Sequence, residues 1–235
     1  DTATTEIYTR MESSAASDVY KRQDQGAAVL VHGQSWQEAH DHAETMLDED
    51  VAYIHPFDDP LIWEGHASLI TETLASGPEI DTVVLSVGGG GLLCGVAEGL
   101  DAGRRTDMSI VTAETVGADS FSRSVQAGRL VALERISSVA TTLGAKEVAA
   151  KALEVSGQLE VVPRVVSDQE ALDACLHFAD DHRVVVEPAC GAALALAYRG
   201  EGVLQEAGNI LLIVCGGVGV TYRGLVELRK TVDLN

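Results

Sequence analysis

Short apolar runs separated by stretches of helical spacing recur along this chain from about residue 24 onward. Ala28 to His32 reads as a strand ended by Gly33, and Ser35 is placed to cap a helix through about Asp48. Val51 to His55 reads as a second strand, followed by a loop HPFDDPLIWEGH and a helix from His66 to Ala75. Asp81-Thr-Val-Val-Leu85 is an apolar strand that enters four consecutive glycines, Gly88 to Gly91, and a helical pattern follows. The next strand is Ser109 to Glu114, then a helix over 144–156 and a strand from Val161 to Val166. Ser167-Asp-Gln-Glu170 is a capping box opening a helix to about His182. Glu187-Pro-Ala-Cys190 leads into an alanine-rich helix over 191–198. Ile210 to Cys215 is a last apolar strand running into Gly216-Gly217, and a helix over 222–232 closes the pattern. Strands that are apolar throughout, alternating with helices, predict an α/β fold of three layers: a mainly parallel sheet covered on both faces. No internal repeat or low-complexity tract interrupts it.

The glycine stretch carries the chemistry. Glycines let backbone approach a ligand closely and leave N–H groups unshielded, and a helix N-terminus adds unpaired donors and a positive dipole end. A charge-assisted hydrogen bond nets roughly 1.5–3 kcal/mol. Three or four would supply most of the ~8 kcal/mol behind micromolar binding. The loop is suited to a phosphate. Ligands of parallel sheets bind beyond the carboxyl ends of the strands, where Gly88, Glu114 and Cys215 all fall, so these should converge. One owner of such a phosphate is a dinucleotide: Gly89, Gly91 and Gly95, with Glu114 at the next strand end, form a loosened Rossmann fingerprint. Its spacing is not the strict one, and it stands on the third predicted strand rather than the first.

Charge narrows the partners. The 235 residues carry 36 acidic against 16 basic side chains, a net −20, which repels nucleic acid and anionic membranes. No apolar run approaches a membrane span and no signal peptide opens the chain, so a soluble, cytoplasmic protein is expected. Cys94, Cys175, Cys190 and Cys215 show no CxxC spacing, which favours reduced, mostly buried thiols. Glu38, His40, Asp41, His42 and Glu44 are rich in potential ligands but read as the solvated face of a helix.

The leading residues stand apart. Residues 1–12 carry no definable period. Ser13 to Gln23, SSAASDVYKRQ, reads either as a small-residue linker running into a short helix or as the translation of a transposon-end sequencing adapter; the second reading excludes it from the fold.

From Asp24 onward the stretches HGQSWQEA, PFDDPLIWEGHAS, SVGGGGLLCGV, AETVGADSF, ISSVATTLGA, VSDQEA, VEPACGAAL and IVCGG together resemble the eukaryotic-type L-serine dehydratase/L-threonine deaminase family. These are pyridoxal-phosphate enzymes of the tryptophan synthase β-like fold type II. The resemblance assigns the cofactor phosphate to Gly88, Gly89, Gly90 and Gly91, with Leu92 beginning the helix, and sets Cys215 against the pyridine nitrogen. It makes Glu114 the acid of a monovalent-cation (potassium) site completed by carbonyls of Gly88, Ala118, Leu143 and Ala145. Glu187 begins a motif lining the cofactor region, and Asp58, Asp59 and His66 take structural roles. The implied reaction is β-elimination of water from L-serine or L-threonine, giving pyruvate or 2-oxobutanoate and ammonia, in a homodimer.

Two departures qualify that implication. The family's Schiff-base lysine and substrate-carboxylate loop lie upstream of the glycines, and neither is present. The lysines here are Lys21, Lys146, Lys151 and Lys230. Val218 follows the paired glycines where the family carries a polar residue. The expected organisation is therefore a non-native leader (1–23), a remnant joining the small substrate domain to the large one (24–60), and a large cofactor domain (61–235) incomplete at its N-terminus. A catalytically silent binding or dimerising fragment is the accompanying alternative. Amplification from source DNA is expected to return a gene without SSAASDVYKRQ; a genomic product that encodes it refutes the adapter reading.

Overall fold

The computed structural model describes residues 6–9, 26–33, 36–77, 79–200 and 202–232, so Lys21, Ser35 and the whole of Ser13 to Gln23 lie outside the described residues. The chain divides into two compact units, Asp1–Ile54 and His55–Asn235.

In the first unit β1 (Glu6–Thr9) pairs in parallel with β2 (Ala28–Val31), Glu6 opposite Ala28. A four-residue strand inside residues 1–12 was not foreseen, because so short a segment has no period of its own and is defined by its partner. Helix α1 (Trp36–Glu44) ends before the expected Asp48. Thr45, Met46 and Leu47 instead donate to carbonyls three residues back, which tightens the chain and unwinds the helix. The expected strand at Val51 to His55 is absent: this segment finds no ladder partner among the described residues, Ile54 is 69% exposed, and Pro56 follows without an N–H.

The second unit is built on four parallel strands, β3 (Thr82–Ser86), β4 (Ser109–Thr115), β5 (Val161–Val166) and β6 (Ile210–Leu212), in the order β5-β4-β3-β6. Val83 stands opposite Ile110 and Leu211. Pro163, which cannot donate to a ladder, sits on the edge strand β5. Side chains alternate faces along each strand. Val83, Leu85, Val87 and Ile110 pack in one core with Ile70 of α2 (Pro60–Ser76), Leu93 and Leu100 of α3 (Gly91–Ala102), Phe121 of α4 (Ser120–Ala127) and Val155 of α5 (Ala150–Gln158). Val84, Val111 and Ala113 face the opposite core, with α6 (Asp168–His182), α7 (Pro188–Arg199) and Leu225 of α9 (Tyr222–Val232). The short α8 (Val203–Glu206) adds Leu204 to that side. Both faces of the sheet are therefore covered, as the uninterrupted apolar strands require.

Several boundaries moved for identifiable reasons. Helix α2 starts six residues before His66 because Asp59 accepts the Leu61 N–H at 2.8 Å and Pro60 occupies the first helical position. Helix α4 was not foreseen; its own N-cap, Asp119, makes no side-chain cap. Residues 144–149 are not helical: a 3₁₀ turn at Thr141–Leu143 precedes them, and Ala149 donates its N–H to the Gly89 carbonyl. Helix α7 starts three residues before 191, at Pro188. The last strand stops at Leu212, although the Ile213 N–H still reaches the Val84 carbonyl.

Asp81 ties the strand starts together: one carboxylate oxygen accepts the N–H groups of Gly208 and Asn209 at 3.0 and 2.9 Å, and the other the Thr82 hydroxyl. The Asn209 N–H is the main cause holding its carboxyl below the usual range. A depressed acid stabilises the fold above its ordinary pKa and loses that contribution as pH falls. Asp81→Asn should therefore lower the melting temperature at neutral pH, the deficit closing below about pH 4. Leu85, fully buried in β3, gives a larger effect: Leu85→Ala is expected to cost about 2–5 kcal/mol in denaturant unfolding.

Candidate active site

Strand β3 delivers the chain to Gly88–Gly91, and α3 starts at Gly91, one residue before the expected Leu92. Gly90 adopts φ +92, and a Cβ there would lie 2.6 Å from Ala152 Cβ and 2.8 Å from Val148. A Cβ on Gly89 would fall on the ring of Phe57, and one on Gly91 would meet the Phe57 carbonyl at 2.7 Å. Trp63 holds Phe57 by donating its indole N–H to that carbonyl at 2.8 Å. The loop's carbonyls turn into the protein: Gly89 accepts from Ala149 at 2.9 Å and Gly90 from Cys94 at 3.0 Å. Among the described residues, no backbone N–H from Gly88 to Leu93 donates a hydrogen bond. A run of unpaired amides at a helix N-terminus is an anion cradle.

A chain of contacts joins this cradle to the other strand ends. Gly88 packs on Thr142 and Leu143, with a Cβ position 3.1 Å from each. Thr142 donates its hydroxyl to Glu187 at 2.9 Å, and Ser86 donates to the Ala189 carbonyl at 2.6 Å. Glu187 donates its N–H to the Gly216 carbonyl at 3.1 Å. Cys190 Sγ lies 3.3 Å from that same carbonyl and 3.4 Å from the N–H of Gly216, the residue that follows Cys215. Gly88 and Cys215 thus belong to one connected site, assembled by residues that sequence reasoning passed over: Phe57, Ser86, Thr142 and Cys190. The signal for Phe57 and Cys190 lay in the PFDDP and VEPACG stretches that enclose them.

Electrostatics distinguish the groups. Hydrogen bonding to Cys190, followed by burial, pushes the Cys215 thiol far up, so it stays neutral at physiological pH. The same hydrogen bond draws Cys190 down to about 7. Burial raises the Glu187 carboxyl. Glu114, fully buried at the end of β4, accepts the Phe121 N–H at 2.9 Å and the Ser122 N–H at 2.7 Å, supplying the missing cap of α4. Burial outweighs these bonds and raises its carboxyl to about 7. Ala118 closes the turn after β4 by donating to Thr115. The Ala145 carbonyl accepts the Ser120 hydroxyl at 3.2 Å, and the Leu143 carbonyl accepts from Ala145 at 2.9 Å. Asp59 is a helix cap, the Asp58 N–H bonds His55, and His66 packs on Gly95. The polar face of α1 is engaged locally: His40 meets the Tyr53 hydroxyl at 2.5 Å and Trp36 stacks on its ring.

Residues 6–216 match the family model described as pyridoxal-phosphate dependent enzyme. The chain belongs to this family. It is 42% identical over 236 residues to the L-serine dehydratase/L-threonine deaminase of Bos taurus, covering 95% of this chain and 72% of that protein. A serine dehydratase-like protein of Mus musculus is 46% identical over 228 residues, covering 93% and 69%. The crystal structure of a fungal L-serine ammonia-lyase from Rhizomucor miehei superimposes with a TM-score of 0.84 at 32% identity, over 96% of this chain and 73% of that one. The fold is accordingly that of the fold type II pyridoxal-phosphate enzymes, as the motifs implied. No helix among the described residues is long and apolar enough to cross a membrane.

Two variants test this geometry. Gly90→Ala forces a left-handed alanine at about 1–2 kcal/mol and drives its methyl into Ala152, so unfolding should require less denaturant by at least that amount. Glu114 holds its proton more tightly folded than unfolded, so its contribution to stability falls as pH rises from about 4.5 to about 7. Glu114→Gln should remove that slope, on the order of 3 kcal/mol. Parallel melting-temperature profiles of the two proteins from pH 4 to 8 would contradict it.

Proposed function

We propose that this chain carries the cofactor site of a pyridoxal-phosphate-dependent ammonia-lyase acting on L-serine and L-threonine, releasing ammonia with pyruvate or 2-oxobutanoate. The observation that carries the reading is the run of unpaired amides from Gly88 to Leu93. A phosphate dianion fits it: the donors are present, neighbours exclude a Cβ at Gly89, Gly90 and Gly91, and the α3 dipole adds to the field. Such local donors matter in a chain of net charge −20, which otherwise repels an anion. Gly88, Gly89, Gly90, Gly91 and Leu92 would hold the phosphate, and Cys215 would meet the ring nitrogen. Cys215 is neutral, so it offers a hydrogen bond without the formal charge that would keep that nitrogen protonated. When bound, the cofactor supplies an electron sink for the charge left on the substrate α-carbon. Phe57 and Ala152, packed behind the glycines, keep the loop from collapsing onto its own donors.

The finer assignments follow the same resemblance. Glu114, with carbonyls of Gly88, Ala118, Leu143 and Ala145, would supply the all-oxygen ligands that suit a hard monovalent cation such as potassium. Intact members would act as homodimers. Lys151 is engaged with Glu154 at 3.3 Å and Lys230 lies exposed on α9, so neither serves as the Schiff-base lysine of this site.

Absorbance titration separates the claims. Pyridoxal phosphate should bind saturably while pyridoxal, lacking the phosphate, binds at least tenfold more weakly, and Gly89→Asp should abolish binding. Equal binding of the two vitamers, or saturable binding of a nicotinamide dinucleotide instead, overturns the assignment. The 235-residue chain alone should release no pyruvate from L-serine. Potassium should raise its melting temperature relative to tetramethylammonium, an increment that Glu114→Gln abolishes.

A further inference from the structure

The second unit holds a cavity that the cofactor reading does not use. Its volume is about 210 Å³, and it lies between β4, β5, the last turn of α7 and α8. Val111, Val162, Leu196, Val203 and Leu204 give it an aliphatic lining, and Arg164 and Arg199 are its charged groups. No acid lines it among the described residues. Helix α7 begins at Pro188, beside Glu187 and Cys190, and ends at Arg199, so about 16 Å of helix separates the two sites. Val111 and Val162 likewise fall near the starts of their strands, whereas the glycine cradle follows a strand end.

Arg164 is the distinctive group. It is exposed on the edge strand β5, donates to the Pro163 carbonyl at 3.1 Å, and pairs with no described carboxylate. That is a notable omission in a chain with 36 acidic against 16 basic residues. Its guanidinium reaches across to the turn before α8: a Cβ on Gly202 would lie 3.5 Å from Nη2. Arg199 donates to Glu170 at 2.8 Å, and the second Glu170 oxygen accepts the N–H and hydroxyl of Ser167. Both oxygens of that nearby acid are thus engaged. A guanidinium fork meets a carboxylate with two N–H groups at once, and an aliphatic wall rewards an alkyl chain. The wall disfavours a bare inorganic anion, and the arginines disfavour an amine. Sites for drug-sized ligands run to roughly 300–1,000 Å³, so this smaller cavity takes a short chain.

We propose that this cavity is a binding site for short-chain aliphatic monocarboxylates, with the carboxylate on Arg164 and the alkyl chain against Leu196 and Leu204. It is separate from the glycine cradle and does not rest on the cofactor reading. The test titrates the 235-residue chain with acetate, propanoate and butanoate, read by saturation-transfer NMR. Each added CH₂ should tighten binding by about fourfold. Arg164→Gln, changed at an exposed position, should weaken butanoate at least tenfold with the melting temperature unchanged. Arg164→Lys, which keeps the charge without the fork, should recover part of that loss. Val203→Phe, filling the cavity from a half-buried position, should abolish binding. Saturating pyridoxal phosphate should not displace butanoate. Equal affinity for acetate and butanoate, or undiminished binding by Arg164→Gln, overturns the proposal. So does inorganic phosphate or butylamine binding as tightly as butanoate, or displacement by pyridoxal phosphate. Butanoate binding is read without cofactor, so its failure leaves the cofactor assignment untouched.

Discussion

The constraint on which the rest of this structure depends is the requirement that a stretch of backbone present its amides with nothing in front of them and no room behind. From Gly88 to Leu93 the N–H groups donate to no described partner, while the space on the far side is filled by Phe57, Ala152, Val148, Thr142 and Leu143. Unpaired amides in a protein interior are costly unless an anion or water satisfies them. Close packing keeps them in place: with Phe57 against Gly89 and Ala152 against Gly90, the loop cannot turn its donors inward. Strand β3 carries the loop to this position, and the two apolar cores on either side of the sheet hold β3 still.

The electrostatics are arranged so that the cradle stays the local attraction for an anion. The neighbouring acids are held by hydrogen bonds of their own, and burial favours their neutral forms. Glu187 is raised by burial and receives the Thr142 hydroxyl, and Glu114 spends both oxygens on the N-terminus of α4. The neighbouring Cys190 thiol, followed by burial, holds the Cys215 thiol well above its ordinary range. A strongly acidic chain thus carries a site at which little negative charge opposes a phosphate.

Much of the second unit could be read in the chain, and the reason is local. The strands at 82–86, 109–115 and 161–166 are apolar runs bounded by turn residues, and the Ser167–Glu170 capping box marks its helix within four residues. The glycine loop was legible because four glycines between a strand and a helix have few other uses. The failures have the opposite character. Helix α4 is capped by Glu114 from a preceding strand, and residues 144–149 are drawn out of helix by the bond from Ala149 to Gly89. Asp59-Pro60 is an exception: its capping signal stands in the sequence, and the helix starts there rather than at the expected His66.

What the sequence by itself determined was the alternation of strands and helices, the phosphate-suited loop and the family, because each resides in periods and motifs a few residues long. What the tertiary structure decided was convergence. Phe57 behind Gly89, Thr142 on Glu187, and Cys190 against Gly216 are pairs separated by 26 to 45 positions in the chain. No local pattern records such pairs, since burial and hydrogen bonding across the sheet ends, rather than neighbouring residues, fix where each side chain rests.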